Sequence, residues 1–188
     1  AGYLNESKAR SRAGGHFFLS QNNVQYPPNN GAILTIAQII DAVMSSAAEA
    51  EIGALFINAK EAVHVRRILT EMGHAQPQTP IQTDNSTADG VVNSRVRPKR
   101  TKAMDMRFEW LLDREQKQQF KIYWRPGKSN LADYFTKHHP PSHHRNVRGE
   151  FLTRVAELQK LRQRNVSLKE TNCAMTDEKI SIRSFLQG

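Results

Sequence analysis

One cysteine in 188 residues, Cys173, leaves an internal disulfide without a partner and fits a reducing compartment. No run approaches the ~20 apolar residues that a membrane span needs, and no signal peptide is visible, so the expected setting is intracellular. Hydrophobic residues make up 38%, low for a wholly packed chain, which predicts that part of it is tail or loop. Acid is in deficit: 18 Asp and Glu face 27 Lys and Arg, a formal net charge of +9. That surplus predicts a polyanionic partner, nucleic acid first, against the plainer reading of a basic protein with no such partner. No internal repeat is present. What remains suffices for one domain with a real core plus an appendage. The chain opens at Ala1 and runs straight into strand-like sequence, as a piece cut from something larger would.

Gly14 and Gly15 precede His16-Phe17-Phe18-Leu19, a short aromatic strand. Pro27, Pro28, Asn29 and Asn30 make a turn, and residues 32–40 return as the second strand of a hairpin. Ser46 with Glu49 three positions on reads as a capping box. Ile52, Leu55, Phe56, Ala59 and Val63 then recur at helical spacing, a pattern that lasts to about Met72, and Gly73 suits the position after the helix. Ile81-Gln82-Thr83 predicts a short buried strand ending at Asp84. Residues 85–93 predict a short helix, and 101–116 a long one with Met104, Phe108 and Leu111 on one face. A strand at 120–124, a turn at Pro126-Gly127 and a closing helix at 131–137 complete an α/β order with a mixed sheet. Residues 1–137 are expected to form the domain. Residues 138–188 are expected to form a His/Pro linker and a basic tail, helical at 148–164 and otherwise helical or disordered.

The acidic landmarks carry the chemistry. Asp84 ends a strand, Ala48-Glu49-Ala50-Glu51 lies at a helix start, and Asn130-Leu131-Ala132-Asp133 opens a later helix. Carboxylates from separate elements hold divalent metal ions, and metal-held water attacks phosphodiesters. Each acid taken alone reads equally as a surface carboxylate or a helix cap. At ~100° per residue, Glu51 shares its side with Ala47, Ala54, Ala62 and Leu69, flanking the packed face. Glu49 shares its side with Lys60, His64 and Arg67. Glu51 is therefore favoured as the helical ligand, with Glu49 as the alternative.

Five blocks, in order, resemble the ribonuclease H domain at the end of the polyprotein of copia-type (Ty1/copia) retrotransposons. Gly2-Tyr3 with Arg10-Ser11-Arg12-Ala13-Gly14-Gly15 is similar to the first hairpin. Ser45-Ser46-Ala47-Ala48-Glu49-Ala50-Glu51 is similar to the Ser-Ser-Thr-Glu-Ala-Glu motif. Thr83-Asp84-Asn85-Ser86 resembles the Asp-Asn block, and Lys102-Ala103-Met104-Asp105-Met106-Arg107-Phe108 the Lys-His-Ile-Asp-Ile-Arg-Tyr block. Leu131-Ala132-Asp133-Tyr134-Phe135-Thr136-Lys137 resembles the closing Leu-Ala-Asp-x-x-Thr-Lys. The resemblance runs from residue 1 to about 144. It implies a ribonuclease H-like mixed five-stranded sheet and cleavage of the RNA strand of RNA/DNA hybrids during reverse transcription. It also implies two Mg²⁺ ions (Mn²⁺ as substitute), ~4 Å apart, held by Glu51, Asp84 and Asp133. The reverse transcriptase domain of the same polyprotein is an implied partner, and the implied setting is a cytoplasmic retroelement particle or the nucleus.

The resemblance also marks a departure. The family's first acid belongs to a Ser-Asp-Ala sequence whose Ala aligns with Ala1, so that Asp falls immediately before this chain. An impaired nuclease is the expectation, and a non-catalytic nucleic-acid-binding remnant is the rival. Candidate nucleic-acid contacts are Lys8, Arg10 and Arg12 on the hairpin, Asn85, the run Arg97, Lys99, Arg100 and Lys102, and Arg125 and Lys128 in the turn before Asp133. Ordinary solvated charge is the alternative for each. No His stands in that turn. Trp110 and Trp124 are expected in the core. His138, His139, His143 and His144 match no standard zinc spacing and are expected to be linker.

Overall fold

A computed structural model describes residues 1–21, 31–85, 102–152, 156, 159–160 and 180–187. Strand β1 (Gly2–Glu6) passes through a 3₁₀ turn at Ser7–Ala9 into the long β2 (Arg10–Gln21). Strand β3 (Leu34–Ile39) lies antiparallel along one edge of β2, with Gly14 opposite Ala37 and Phe17 opposite Leu34. Helix α1 (Ala47–Glu71) follows, then β4 (Thr79–Thr83), α2 (Lys102–Gln116) and β5 (Phe120–Trp124), which pairs parallel to β4. Two 3₁₀ turns, Gly127–Ser129 and Leu131–Phe135, lead to α3 (Pro141–Phe151), and β6 spans Ile180–Gln187.

The sheet is mixed, as expected, but among the described residues it has six strands rather than five. Its order is β1-β2-β6-β4-β5, with β3 on the other side of β2. The extra strand comes from the segment read as a helical or disordered tail. β6 runs antiparallel to β2 and parallel to β4, so it joins the antiparallel β1–β2–β3 half to the parallel β4–β5 half.

α1 starts where a capping box predicts. Ser46 Oγ accepts the Glu49 N–H at 3.2 Å, and Glu49 Oε2 accepts the Ser45 N–H at 2.7 Å, satisfying donors that the first turn leaves open. Its apolar side packs Leu55 and Ala59 onto Phe17, Ile81, Leu111 and Phe120. Each such large side chain contributes about 1.5–3 kcal/mol by leaving water. Asn58, fully buried, donates to the Gly14 carbonyl at 3.0 Å and ties α1 to β2. At the far end Arg66 donates to the Gln76 carbonyl (3.2 Å) and Thr79 Oγ1 (2.5 Å), clamping α1 to the start of β4.

Three further expectations change. The closing helix is a 3₁₀ turn, Leu131–Phe135, started by Asn130, whose side chain accepts the Ala132 N–H at 3.1 Å. The His/Pro stretch is not all linker, because Pro141 stands at the start of α3, where its missing N–H costs nothing. That helix spans Pro141–Phe151, starting before the expected 148; Leu152 is not helical, residues 156 and 159–160 are, and the rest of the expected 148–164 helix lies outside the described residues. The expected helix at 85–93 and the basic run holding Arg97, Lys99 and Arg100 lie outside the described residues, save Asn85. Among the described residues no helix is long and apolar enough to cross a membrane.

Candidate functional site

Glu51 sits in the second turn of α1 and is 8% exposed. Its Oε1 accepts from the Ala1 nitrogen at 3.1 Å, while its Oε2 is buried and has no hydrogen-bond partner. Glu49, two residues earlier, is occupied by the capping box. The helical geometry therefore separates the two acids. One turns to the first strand, and the other closes the helix end.

Asp84 immediately follows β4. Its carbonyl accepts the Trp124 indole N–H at 2.9 Å, which holds the ends of the two parallel strands in line. A Cβ on Gly127 would lie 2.8 Å from Asp84 Oδ2, so the turn after β5 runs close against this carboxylate. Asp133 is carried by the 3₁₀ turn. It pairs with Lys137 at 2.6 Å, and Thr136 Oγ1 donates to its carbonyl at 3.0 Å. The turn reaches the sheet because Gly14 has no side chain. A Cβ there would stand 2.7 Å from the Ala132 carbonyl oxygen and 2.5 Å from Thr136 Cγ2. Asn5 adds a hydrogen bond from its side-chain amide to the Thr136 carbonyl.

Glu51 meets the Ala1 nitrogen, and the charges of Asp84 and Asp133 act on the same amine. Burial pushes the Ala1 amine down from 8.0 to about 5. The Asp84 and Asp133 charges pull the other way, and Lys137 adds to the lowering. Among the described residues no three His, Cys, Asp or Glu side chains stand close enough together to hold a metal ion. The donor chemistry nonetheless suits a hard divalent cation: carboxylates from three elements, one with a buried oxygen that lacks a partner.

The candidate nucleic-acid contacts are dispersed. Lys8 is exposed at the hairpin turn, with φ 59°. Arg10 donates to the Ser7 carbonyl at 3.4 Å. Arg12 is engaged by Glu6 at 2.6 Å and by the Ala37 carbonyl at 3.4 Å. Asn85 and Arg125 are half-buried beside Thr83, and Lys102 opens α2. Lys128 is exposed and lines a cavity of about 600 Å³ together with Asp133, Tyr134, His139 and Phe151.

That cavity was not legible as a feature. Tyr134 stacks on His139 at 5.4 Å and 6°, and His139 stacks on His143 at 4.1 Å. The Tyr134 hydroxyl meets His144 Nδ1 at 2.8 Å. Burial, with the neighbouring His143, lowers the His139 pKa. The signal available was the pair of His residues flanking Pro140-Pro141: His139 precedes α3 and His143 lies in its first turn, so a helix start at Pro141 brings the two rings together. Lys137 as the partner of Asp133 was also missed, although an i,i+4 acid–base pair is a readable pattern. Trp124 is 47% exposed, which corrects its expected core placement. It caps the strand ends at Asp84 instead. Trp110 packs edge-on against Phe56 at 5.2 Å.

No family model matches the chain. It is similar to the retrovirus-related Pol polyprotein from transposon TNT 1-94 of Nicotiana tabacum, 28% identical over 109 residues. A retroelement polyprotein origin is supported. The matched stretch covers 58% of this chain and 8% of the tobacco polyprotein, so the chain spans only a small part of that relative.

Proposed function

We propose that this chain is the ribonuclease H part of a copia-type retroelement polyprotein, acting on the RNA strand of RNA/DNA hybrids made by the reverse transcriptase domain of the same polyprotein. The observation that carries the reading is the enclosed Glu51 carboxylate, whose Oε2 is buried without a hydrogen-bond partner, at an amine on which the Asp84 and Asp133 charges also act. The similarity to a transposon polyprotein agrees with this reading.

In this reading Glu51, Asp84 and Asp133 hold two Mg²⁺ ions, or Mn²⁺. When bound, such ions supply an activated water and charge stabilisation at the leaving oxygen. The chain's own residues do the positioning. The 127–129 turn lies against Asp84, and Lys128 in that turn lines a cavity with Asp133; Lys128 and Arg125 would contact phosphates of the hybrid. Lys137 neutralises Asp133 in the free protein and would give way when a cation binds. A residue joined to the Ala1 nitrogen would enter the same carboxylate-lined space, 3.1 Å from Glu51, which suits an additional acid at that position.

The rival reading, a non-catalytic nucleic-acid-binding remnant, is favoured by one observation: no three acids among the described residues are placed to hold a metal ion together. Mg²⁺-dependent cleavage of a labelled RNA/DNA hybrid separates the two. The chain is compared with a version carrying Ser-Asp before Ala1, and with Asp84→Asn in that extended version. Cleavage by the extended, unmutated protein alone is expected. Salt-sensitive hybrid binding by all three without cleavage would transfer the case to the remnant.

A further inference from the structure

Where the two turns after β5 meet α3 they enclose a cavity of about 600 Å³. Its size is that of a ligand site. Its lining is mixed: Lys128 from the first turn, Asp133 and Tyr134 from the second, and His139, His143 and Phe151 from α3 and its approach. The rings are near-parallel. Tyr134 and His139 stand 5.4 Å apart at 6°, His139 and His143 4.1 Å apart at 21°, and Tyr134 and Phe151 4.7 Å apart at 26°. The set is held in place before any ligand arrives. The Tyr134 hydroxyl meets His144 Nδ1 at 2.8 Å, and His144 Nε2 meets the His139 carbonyl at 3.0 Å. Rings fixed in this way give up little freedom when something stacks on them.

Packing alone does not account for all four rings. α3 is anchored at its C-terminal end, where Phe151 stands edge-on to His16 (5.6 Å) and to Phe135 (5.4 Å). His139 and His143 lie at the other end of the helix and remain half-buried. Burial and the neighbouring His143 hold the His139 imidazole below its usual range, so that ring is uncharged at neutral pH. Its Nε2 is shielded from water and has no hydrogen-bond partner. Unmet groups of this kind are satisfied by the polar edge of a bound molecule. The surroundings are basic. Lys128, Arg145 and Arg148 are exposed, and over residues 125–151 five Lys and Arg face two acids, of which Asp133 is already held by Lys137 at 2.6 Å.

Near-parallel rings select a planar π-system, and the basic surroundings select one that carries negative charge at more than one point. A strand of nucleic acid offers both: base faces for stacking, and phosphates for Lys128, Arg145 and Arg148. A duplex does not, because its bases are already stacked on one another. We propose that the cavity between the 127–135 turns and α3 is a stacking pocket for an unpaired nucleobase, through which the protein binds single-stranded nucleic acid. Such a pocket needs neither a metal ion nor hydrolysis, so it stands whether or not the carboxylates cut.

Binding is read by fluorescence anisotropy with the full chain, at one salt concentration and with EDTA present. The probes are a short labelled single-stranded DNA and the same strand with every base replaced by an abasic residue. The base-bearing strand should bind roughly tenfold tighter, the scale of stacking one base on an aromatic ring. His139→Ser with His143→Ala should shrink that difference to less than about threefold. Lys128→Ala should weaken both strands by a similar factor, because it removes a phosphate contact only. Equal affinity for the two strands, or a difference that survives the double substitution, would overturn the proposal. So would displacement of the strand by an equal concentration of AMP, which would assign the pocket to free nucleotides instead.

Should the double variant fail to fold, the unaltered protein decides. The ring-proton resonances of His139 and His143 should move upfield with the base-bearing strand and stay in place with the abasic one. Resonances that respond alike to the two strands would overturn the assignment.

Discussion

α1 passes through two environments. From Ala50 to Leu55 every residue is buried, glycine and glutamate included, because β1, β2, the approach from β3 and α2 enclose this part of the helix. Beyond Lys60 only Ala62 and Leu69 are buried, and Ile68 and Met72 stand 54% and 66% exposed. The far part is an ordinary amphipathic helix with one packed stripe. The near part has no solvent face to which a carboxylate can turn. Glu51 therefore meets the Ala1 nitrogen, while Glu49, at the helix mouth, is free to serve the cap. An acid enclosed in this way is poorly explained by packing and better explained by a ligand.

The contrast can be broken by measurement. Leu55→Ala opens a hole in the enclosed part and should cost about 3–4 kcal/mol in urea unfolding. Leu69→Ala, at the thinly covered end, should cost about 2. Equal losses would mean that the two parts are packed alike. Asn58→Ala should cost about 2 kcal/mol, because it removes the donor to the buried Gly14 carbonyl. The loss should be accompanied by faster exchange in β2. Ser46→Ala removes the cap on the Glu49 N–H and should cost about 1 kcal/mol, with hybrid affinity unchanged. At the other extreme, Arg67→Ala breaks an exposed i,i+4 pair with Glu71. It should shift the unfolding midpoint by no more than about 0.5 kcal/mol, less at high salt.

Local rules were readable where one element decides the outcome. The capping box at Ser46 and Glu49, the helix to Glu71 and the strand Phe120–Trp124 all follow from periodicity and end chemistry. The helical wheel put Glu51 with Ala47, Ala54, Ala62 and Leu69; Ala54, Ala62 and Leu69 are buried and Ala47, at the helix mouth, is exposed, whereas Lys60, His64 and Arg67 on the Glu49 side are all exposed. Reading failed where distant segments compete. Ile180–Gln187 has no partner nearby in sequence, and its weak periodicity reads as tail. Its strand state comes from β2 and β4 offering unpaired edges. Trp124 looked like core from its alternation with Phe120 and Ile122, but at the last position of the strand its indole N–H donates to the Asp84 carbonyl and the side chain stays half in water. Pro140-Pro141 read as linker because proline interrupts helices, and the same residue begins one when it stands at the first position.

By itself the sequence determined the basic charge, the α/β order, the span of α1 and the identity of the acids placed at element ends. These depend on composition and on interactions within a few residues, which a single segment carries with it. Only the tertiary structure decided that Glu51 meets the Ala1 nitrogen, and that Gly14 lets the 3₁₀ turn carrying Asp133 close on the sheet. It also decided that residues 180–187 complete the sheet. Those outcomes depend on which unpaired strand edges and enclosed carboxylates must be satisfied once the chain is compact, a balance that no local stretch contains.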